Sequence, residues 1–323
     1  MDSSPPKKVG KICEPKLIVQ GRYLCVEGGF KRTGNTSPPT RGKVGVFSKS
    51  SQRRMRDCVA KLGEAIPIFV TLTYGKEWSE NWRDWKRDLD VFLKRLKRYN
   101  PNLSAIWKLE PQKRMAPHFH LLVYGGRINR DWLALNWAQS TGDVSIEHIK
   151  AGTEVRKVKT VRGVAHYASK YMAKEVIAEL PEYWLQVGQW WGKFNKNKLP
   201  YAEEEEIPIP KAIAEVIPNF LREKFFWARI EKTKSDLIKD GYPEIRAESL
   251  AFEKTEPLSK HCYPTTTRIN SVETFLRELK DWIDEQIQQR SVKILPSGIK
   301  IDHHFKQSAE KLFELPRIQS LAT

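Results

Sequence analysis

Only four cysteines occur in 323 residues, Cys13, Cys25, Cys58 and Cys262. They stand far apart and never in C-x-x-C spacing, which argues against a zinc ribbon and a disulfide framework and fits a reducing, cytoplasmic setting. Long apolar runs are missing too: no window approaches the roughly 18 consecutive apolar residues of a membrane span. The first residues, MDSSPPKKVGKICEP, lack the apolar centre of a signal peptide, so a non-exported protein with no membrane partner is expected. No G-x-x-x-x-G-K-[ST] occurs, so no built-in nucleotide-driven motor is expected. No internal repeat is visible.

Acidic residues are scarce in one part of the chain only. The formal net charge is +17. Residues 1–200 hold 37 Lys+Arg against 18 Asp+Glu, net +19, whereas residues 201–323 hold 19 against 21, net −2. A basic block of that size concentrates polyanions and points to phosphate backbones as partner; a basic surface kept for solubility is the plainer alternative.

Pattern and punctuation divide the chain into a basic N-terminal arm and helix over 1–64, a central domain over 65–200 and an accessory, mostly helical region over 201–323. The arm carries the loop signal NTSPPTRGK, a strand signal at KLIVQGRYLCV and a helix at SKSSQRRMRDCVAKLG, stopped by Gly63. In the central part, IPIFVTLTYG reads as a strand. SENWRDWKRDLDVFLKRLKRY places Trp82, Trp85, Leu89, Phe92 and Leu96 on one helical stripe, with Ser79 as the cap and Asn100-Pro101 as the break. LSAIWKLE and HFHLLVYG read as neighbouring antiparallel strands joined by PQKRMAP. NRDWLALNWAQ reads as a helix, DVSIEHIK and TEVRKVK as strands, and VRGVAHYASKYMAKEVIAEL as a helix ending before Pro181. Strands mixed with helices without strict alternation indicate an α+β fold with an antiparallel sheet, helices on one face and the other face available. The acidic, proline-interrupted AEEEEIPIPKAIAEVIP marks the change into the last region.

Alternate side chains of a strand share a face, so His118, His120, Leu122 and Tyr124 point one way and Phe119, Leu121 and Val123 the other. The apolar triplet belongs in the core, which leaves both histidines on the opposite face, about 7 Å apart at the backbone and able to converge on one ion. Glu110, at the end of the preceding strand, is placed to lie beside them. Two imidazoles and a carboxylate suit a divalent ion such as Mg2+ or Mn2+; spacing alone leaves the structural reading of the histidines equally open. In HYASKYMAK, Tyr167, Lys170, Tyr171 and Lys174 fall at three- and four-residue offsets on one helix face. By itself this pattern also fits an ordinary helix with amphipathic tyrosines and solvated lysines. Trp78, Trp82 and Trp85 could stack on bases, although helical spacing favours a core role for the last two.

Taken in order, FVTLTY, PHFHLLV and YASKYMAK resemble the three motifs of the HUH endonucleases, and among them the two-tyrosine rolling-circle replication initiators of small single-stranded DNA phages and related plasmids. The resemblance covers about residues 66 to 200, with FSKSSQRR before the first motif and WWGKFNKNKLP after the last as flanking segments of the same kind. It implies a ferredoxin-like or RRM-like palm whose central antiparallel sheet is backed by helices. It implies that His118 and His120 bind Mg2+ or Mn2+, with Glu110 as the third ligand by inference from strand pairing. Tyr171 would attack the scissile phosphate of single-stranded origin DNA, leaving a 5′-phosphotyrosine and a free 3′-OH. Tyr167 would be the second nucleophile or a supporting group, and Lys174 and Lys170 would position or neutralise the phosphate. A host or partner helicase and a DNA polymerase would complete the reaction. A single-strand transposase shares this chemistry, and a non-catalytic single-stranded nucleic-acid-binding module is the alternative from another class.

Overall fold

The structure, a computed structural model, describes residues 14–28, 47–160, 180–257, 264–288, 293–294, 300–301, 307, 310 and 314. Two compact units divide the chain: residues 35–203 form one, and residues 1–34 together with 204–323 form the other. The change of composition near residue 200 therefore coincides with a unit boundary, but the N-terminal arm is divided between the two units instead of forming one segment with the helix that follows it.

Strands β1 (Lys16–Gln20) and β2 (Tyr23–Glu27) come first along the chain and belong to the second of these units. In the 35–203 unit the order is α1 (Lys49–Ala60), β3 (Ile68–Thr73), α2 (Trp82–Tyr99), β4 (Ser104–Pro111), β5 (Pro117–Tyr124), α3 (Arg130–Thr141), α4 (Ile146–Ala151), β6 (Thr153–Lys157), a short helix Glu182–Leu185 and β7 (Trp191–Phe194). Five strands make one sheet in the order β6-β3-β5-β4-β7, every neighbouring pair antiparallel. The expected α+β class is what the chain adopts.

Local chemistry accounts for most of the elements. Helix α1 begins at Ser48, whose hydroxyl accepts from the Ser51 N–H, and buries Met55, Cys58 and Val59. Helix α2 is capped by Asn81, whose side chain accepts from the Arg83 N–H, and not by Ser79. The Ser79 hydroxyl instead accepts from the Asn81 N–H and donates to Asp84. Asp84 in the first turn and Lys97 and Arg98 in the last complement the helix dipole. Trp85, Leu89, Phe92, Leu93 and Leu96 are its buried stripe. They pack with Phe119, Leu121, Val123, Leu109 and Trp107 of the sheet into one core. Trp85, Trp184 and Trp190 continue that core as a run of contacting indoles.

Two expectations fail in this unit. DVSIEHIK, expected as a strand, contains helix α4, with Ser145 as its cap accepting from the His148 N–H. Val144 and Ile146, which produced the alternating pattern, are exposed, so no sheet face claims them. His148 is buried, its Nδ1 lying 2.8 Å from the Asp143 carbonyl and its Nε2 2.9 Å from the Thr73 carbonyl; these tertiary bonds hold the turn of helix against β3. WWGKF, expected only as a flanking segment, supplies edge strand β7, which pairs with β4. Gly192 permits this, because a Cβ there would sit 2.7 Å from the Trp107 ring that lies opposite it. The helix expected over VRGVAHYASKYMAKEVIAEL lies, but for its last residue, outside the described residues.

In the other unit the strand signal at KLIVQGRYLCV proves to be a hairpin of β1 and β2, turned at Gly21 with φ 58°. With β8 (Glu204–Pro208) and β9 (Thr266–Arg268) it makes an antiparallel sheet in the order β8-β1-β2-β9. Leu17, Val19, Leu24, Val26 and Ile207 share a core with the helices Lys211–Lys239 and Val272–Gln288. The last third of the chain is thus mostly helical, as expected, but it is completed by strands from the N-terminus.

Candidate metal and phosphate site

Register places one polar constellation on the sheet face opposite the core. His118 pairs with Thr73 of β3 and with Glu110 of β4; His120 pairs with Thr71 and with Lys108. Because alternate residues share a face, these six side chains form a two-by-three array: Thr71, His120 and Lys108 in one row, Thr73, His118 and Glu110 in the next. Phe119 and Leu121, between and beyond the histidines, are fully buried in the core on the other side. The two imidazoles are therefore held out by packing they take no part in.

The sequence singled out three of the six. His120 is buried, and its Nε2 lies 2.9 Å from Glu110 Oε1. Its Nδ1 lies 3.3 Å from the Thr71 hydroxyl, and its ring stacks on Phe69 at 5.2 Å. The His118 Nδ1 lies 3.0 Å from the Thr73 hydroxyl and 3.3 Å from the Gln112 amide nitrogen. The two rings stand edge to face with centroids 4.4 Å apart. Lys108, whose side chain is about 1% exposed, donates to Glu110 Oε2 at 3.1 Å. Lys108, Thr71, Thr73 and Gln112 were missed. The T-L-T alternation in FVTLT and the K-L-E alternation in WKLE carried the signal, but only strand register says that they flank the histidines.

Electrostatics follows from this packing. Burial pushes the Glu110 carboxyl up, but the His120 hydrogen bond and charge together with the Lys108 ammonium overcome it and hold the group at about 2. Burial, reinforced by His120 and Arg114 and opposed by Glu110, pulls His118 down to about 3. At neutral pH the face therefore presents an ionised carboxylate beside a neutral imidazole, the protonation states a cation requires of its ligands.

The donor set also fits a divalent ion in its geometry. In the tautomer whose Nδ1 donates to the threonine hydroxyl, Nε2 of each ring carries the lone pair, the arrangement by which second partners orient metal-binding histidines. Adjacent ligands on an octahedral ion with bonds of about 2.1 Å stand about 3 Å apart, close to the His120–Glu110 separation of 2.9 Å. Among the described residues, however, no three His, Cys, Asp or Glu side chains are gathered into a ready-made cage; His120 and Glu110 are in contact, and His118 joins them through its ring.

Tyr167, Lys170, Tyr171 and Lys174 lie outside the described residues, as do His166, His261, His303 and His304. Trp85 is core, and Trp78 and Trp82 pack against it. The Arg114 guanidinium stacks over Trp78 at 4.7 Å while donating to the Tyr74 and Lys76 carbonyls and to Gln112. That linkage ties the β4–β5 turn, in which Met115 adopts φ 65°, to the rim of the histidine face.

Comparison with protein families gives one match: the model of a replication-associated protein family, that of ORF2, matches residues 67–176, about a third of the 323-residue chain. The match begins at the head of β3 and runs past Lys174, so all seven site residues singled out in the sequence fall within it. Over that segment the chain is similar to replication-associated proteins, which points to DNA replication as its setting. No curated protein and no solved structure matches the chain.

Proposed function

From the similarity to replication-associated proteins over residues 67–176 and the array on the sheet face, we propose that the protein is a replication initiator that nicks and rejoins single-stranded origin DNA. The observation that carries the reading is the register that brings His118, His120 and Glu110 to one face, with both rings anchored through Nδ1 and the carboxylate ionised. His118, His120 and Glu110 would hold Mg2+ or Mn2+, which when bound would supply Lewis-acid polarisation of the scissile phosphate.

The chain's own groups would do the rest. Lys108 holds one oxygen of Glu110 and leaves the other for the cation side. The Tyr171 phenol oxygen attacks phosphorus, the bond from phosphorus to the 3′ oxygen breaks, and the departing oxygen takes up a proton as a free 3′-OH. The new phosphotyrosine conserves the bond for rejoining, and Tyr167 repeats the attack when the origin is regenerated. Lys170 and Lys174 neutralise the phosphate during both transfers. Positioning and charge stabilisation thus carry the catalysis, and no nucleotide is consumed. Unwinding and synthesis would fall to a partner helicase and polymerase.

Incubation of the protein with labelled single-stranded origin DNA and Mn2+ tests this. A covalent protein–DNA adduct is expected, abolished in the Tyr167→Phe/Tyr171→Phe double variant, in His118→Ala and by EDTA. An undiminished adduct in Tyr171→Phe moves the primary nucleophile to Tyr167. Full activity in EDTA removes the metal assignment, and no adduct under any condition removes nicking altogether.

A further inference from the structure

Outside the site, the helical hairpin of the second unit carries an organised surface that the replication reading does not use. Helix Lys211–Lys239 runs out to a turn at Gly241, with φ 92°, and helix Glu244–Lys254 returns along it. The outer part of this pair encloses only a small core of Ile230, Leu237, Ala247 and Ala251, with Phe226 and Leu250 at its margin. Two helices with so few buried residues are half of a bundle and gain stability from a partner.

The exposed side of the hairpin has a pattern. Trp227, Lys234 and Ile238 recur at seven and four residues, and Ile245, Glu248 and Phe252 at three and four, so each trio lies along one helical stripe. The two stripes are adjacent. Trp227 and Phe252 touch, their rings 5.4 Å apart, and Lys234 is bonded to Glu248 at 3.1 Å and to Glu244 at 3.2 Å. Trp227 and Phe252 are each 48% exposed, Ile238 42% and Ile245 87%. The face thus reads aromatic pair, ion pair, aliphatic pair over 11 residues of helix, about 16 Å.

We propose that this face pairs with the same face of a second copy of the chain through a twofold axis at the Lys234–Glu248 ion pair. Under such an axis the Trp227/Phe252 end of one copy meets the Ile238/Ile245 end of the other, and each Lys234 faces the partner's acidic groups, so one patch complements itself. Charge balance excludes the nucleic acid as occupant and permits a copy: between Arg222 and Glu256 there are eight basic and eight acidic residues. An exposed Trp beside an exposed Phe is the kind of anchor that dominates protein interfaces. The two completed hairpins form a four-helix arrangement that buries what each leaves open.

Sedimentation velocity on the full chain without DNA tests the pairing. The expected species has twice the 37.5 kDa chain mass, and Trp227→Glu and Ile238→Glu, at opposite ends of the face, each convert it to monomer. Ile146→Glu, at an exposed apolar position in the other unit, leaves the dimer intact. Oxidation of mixed Trp227→Cys and Ile238→Cys chains, which does not depend on a disruptive variant folding, is expected to yield an intermolecular linkage between positions 227 and 238, identified by mass spectrometry. A wild-type monomer at every soluble concentration, a dimer indifferent to both glutamate variants, or a mixed oxidation without the 227–238 linkage overturns the proposal.

Discussion

At the scale of the residue, the histidine face is controlled by neighbours that are not themselves candidate ligands. Thr71 and Thr73 anchor the rings of His120 and His118 through Nδ1. Under the proposed ion site, Thr71→Val and Thr73→Val would keep the fold and lower Mn2+ affinity by about 10- to 100-fold, the usual effect of losing an orienting partner; calorimetric titration of the ion measures this, and unchanged affinity would remove the orienting role. Acid stability is a second consequence. His118 is held at about 3 against its ordinary 6.5, so the unfolded chain takes up a proton first, and its contribution is intact above pH 6.5 and lost as pH falls from 6.5 towards 3. Glu110 is held at about 2 against 4.5, so its contribution is present above 4.5 and lost as pH falls from 4.5 towards 2. Both act in the same direction. The urea midpoint in EDTA should therefore decline on acidification below pH 6.5, and His118→Gln should flatten the decline between 6.5 and 4.5; an identical profile in the variant would contradict the burial argument.

At the scale of the element, each strand or helix was legible where one face met the core and illegible where a neighbour made the decision. The α2 stripe from Trp85 to Leu96 is buried as its 3.6-residue spacing demands. The β5 alternation likewise separates histidines from core residues as its period of two demands. By contrast α4 alternates like a strand in sequence but forms a turn of helix, because His148 finds its partners in the Asp143 and Thr73 carbonyls and not along a sheet edge. Strand β7 gave little signal because it is an edge strand of four residues whose place depends on a glycine opposite Trp107. Gly192→Ala should therefore force the Trp107 ring or the edge strand to move and cost about 1–3 kcal/mol, as overpacking of a filled site does. Equilibrium unfolding in urea measures it; a variant as stable as the wild type would show that the ring yields freely.

At the scale of the whole molecule, charge divides with the units. Residues 35–203 hold 30 Lys+Arg against 16 Asp+Glu, net +14, and the other unit holds 26 against 23, net +3. The phosphate backbone is thus expected on the first unit, the one that also carries the histidine face. Binding of single-stranded DNA should weaken steeply with salt, and each phosphate contact removed should lower the log–log slope by about 0.7. Lys113→Gln, in the exposed turn beside His118, is expected to lower the slope, whereas Lys232→Gln on the hairpin of the other unit is expected to leave it unchanged. Equal effects from the two substitutions would place the DNA on both units.

The sequence by itself determined the α+β class, the core stripe of α2, the antiparallel pairing of β4 with β5 and the face on which His118 and His120 stand, because each follows from local periodicity and from short connections. It also determined that the basic excess ends near residue 200. Only the tertiary structure decided that Glu110 touches His120, that Lys108 and two threonines complete the array, and that β1 and β2 leave the N-terminal arm to finish a sheet with β8 and β9. The physical reason is common to all three. Which residues meet across strands depends on register, and register is set by partners distant in sequence, whose identity no local pattern carries.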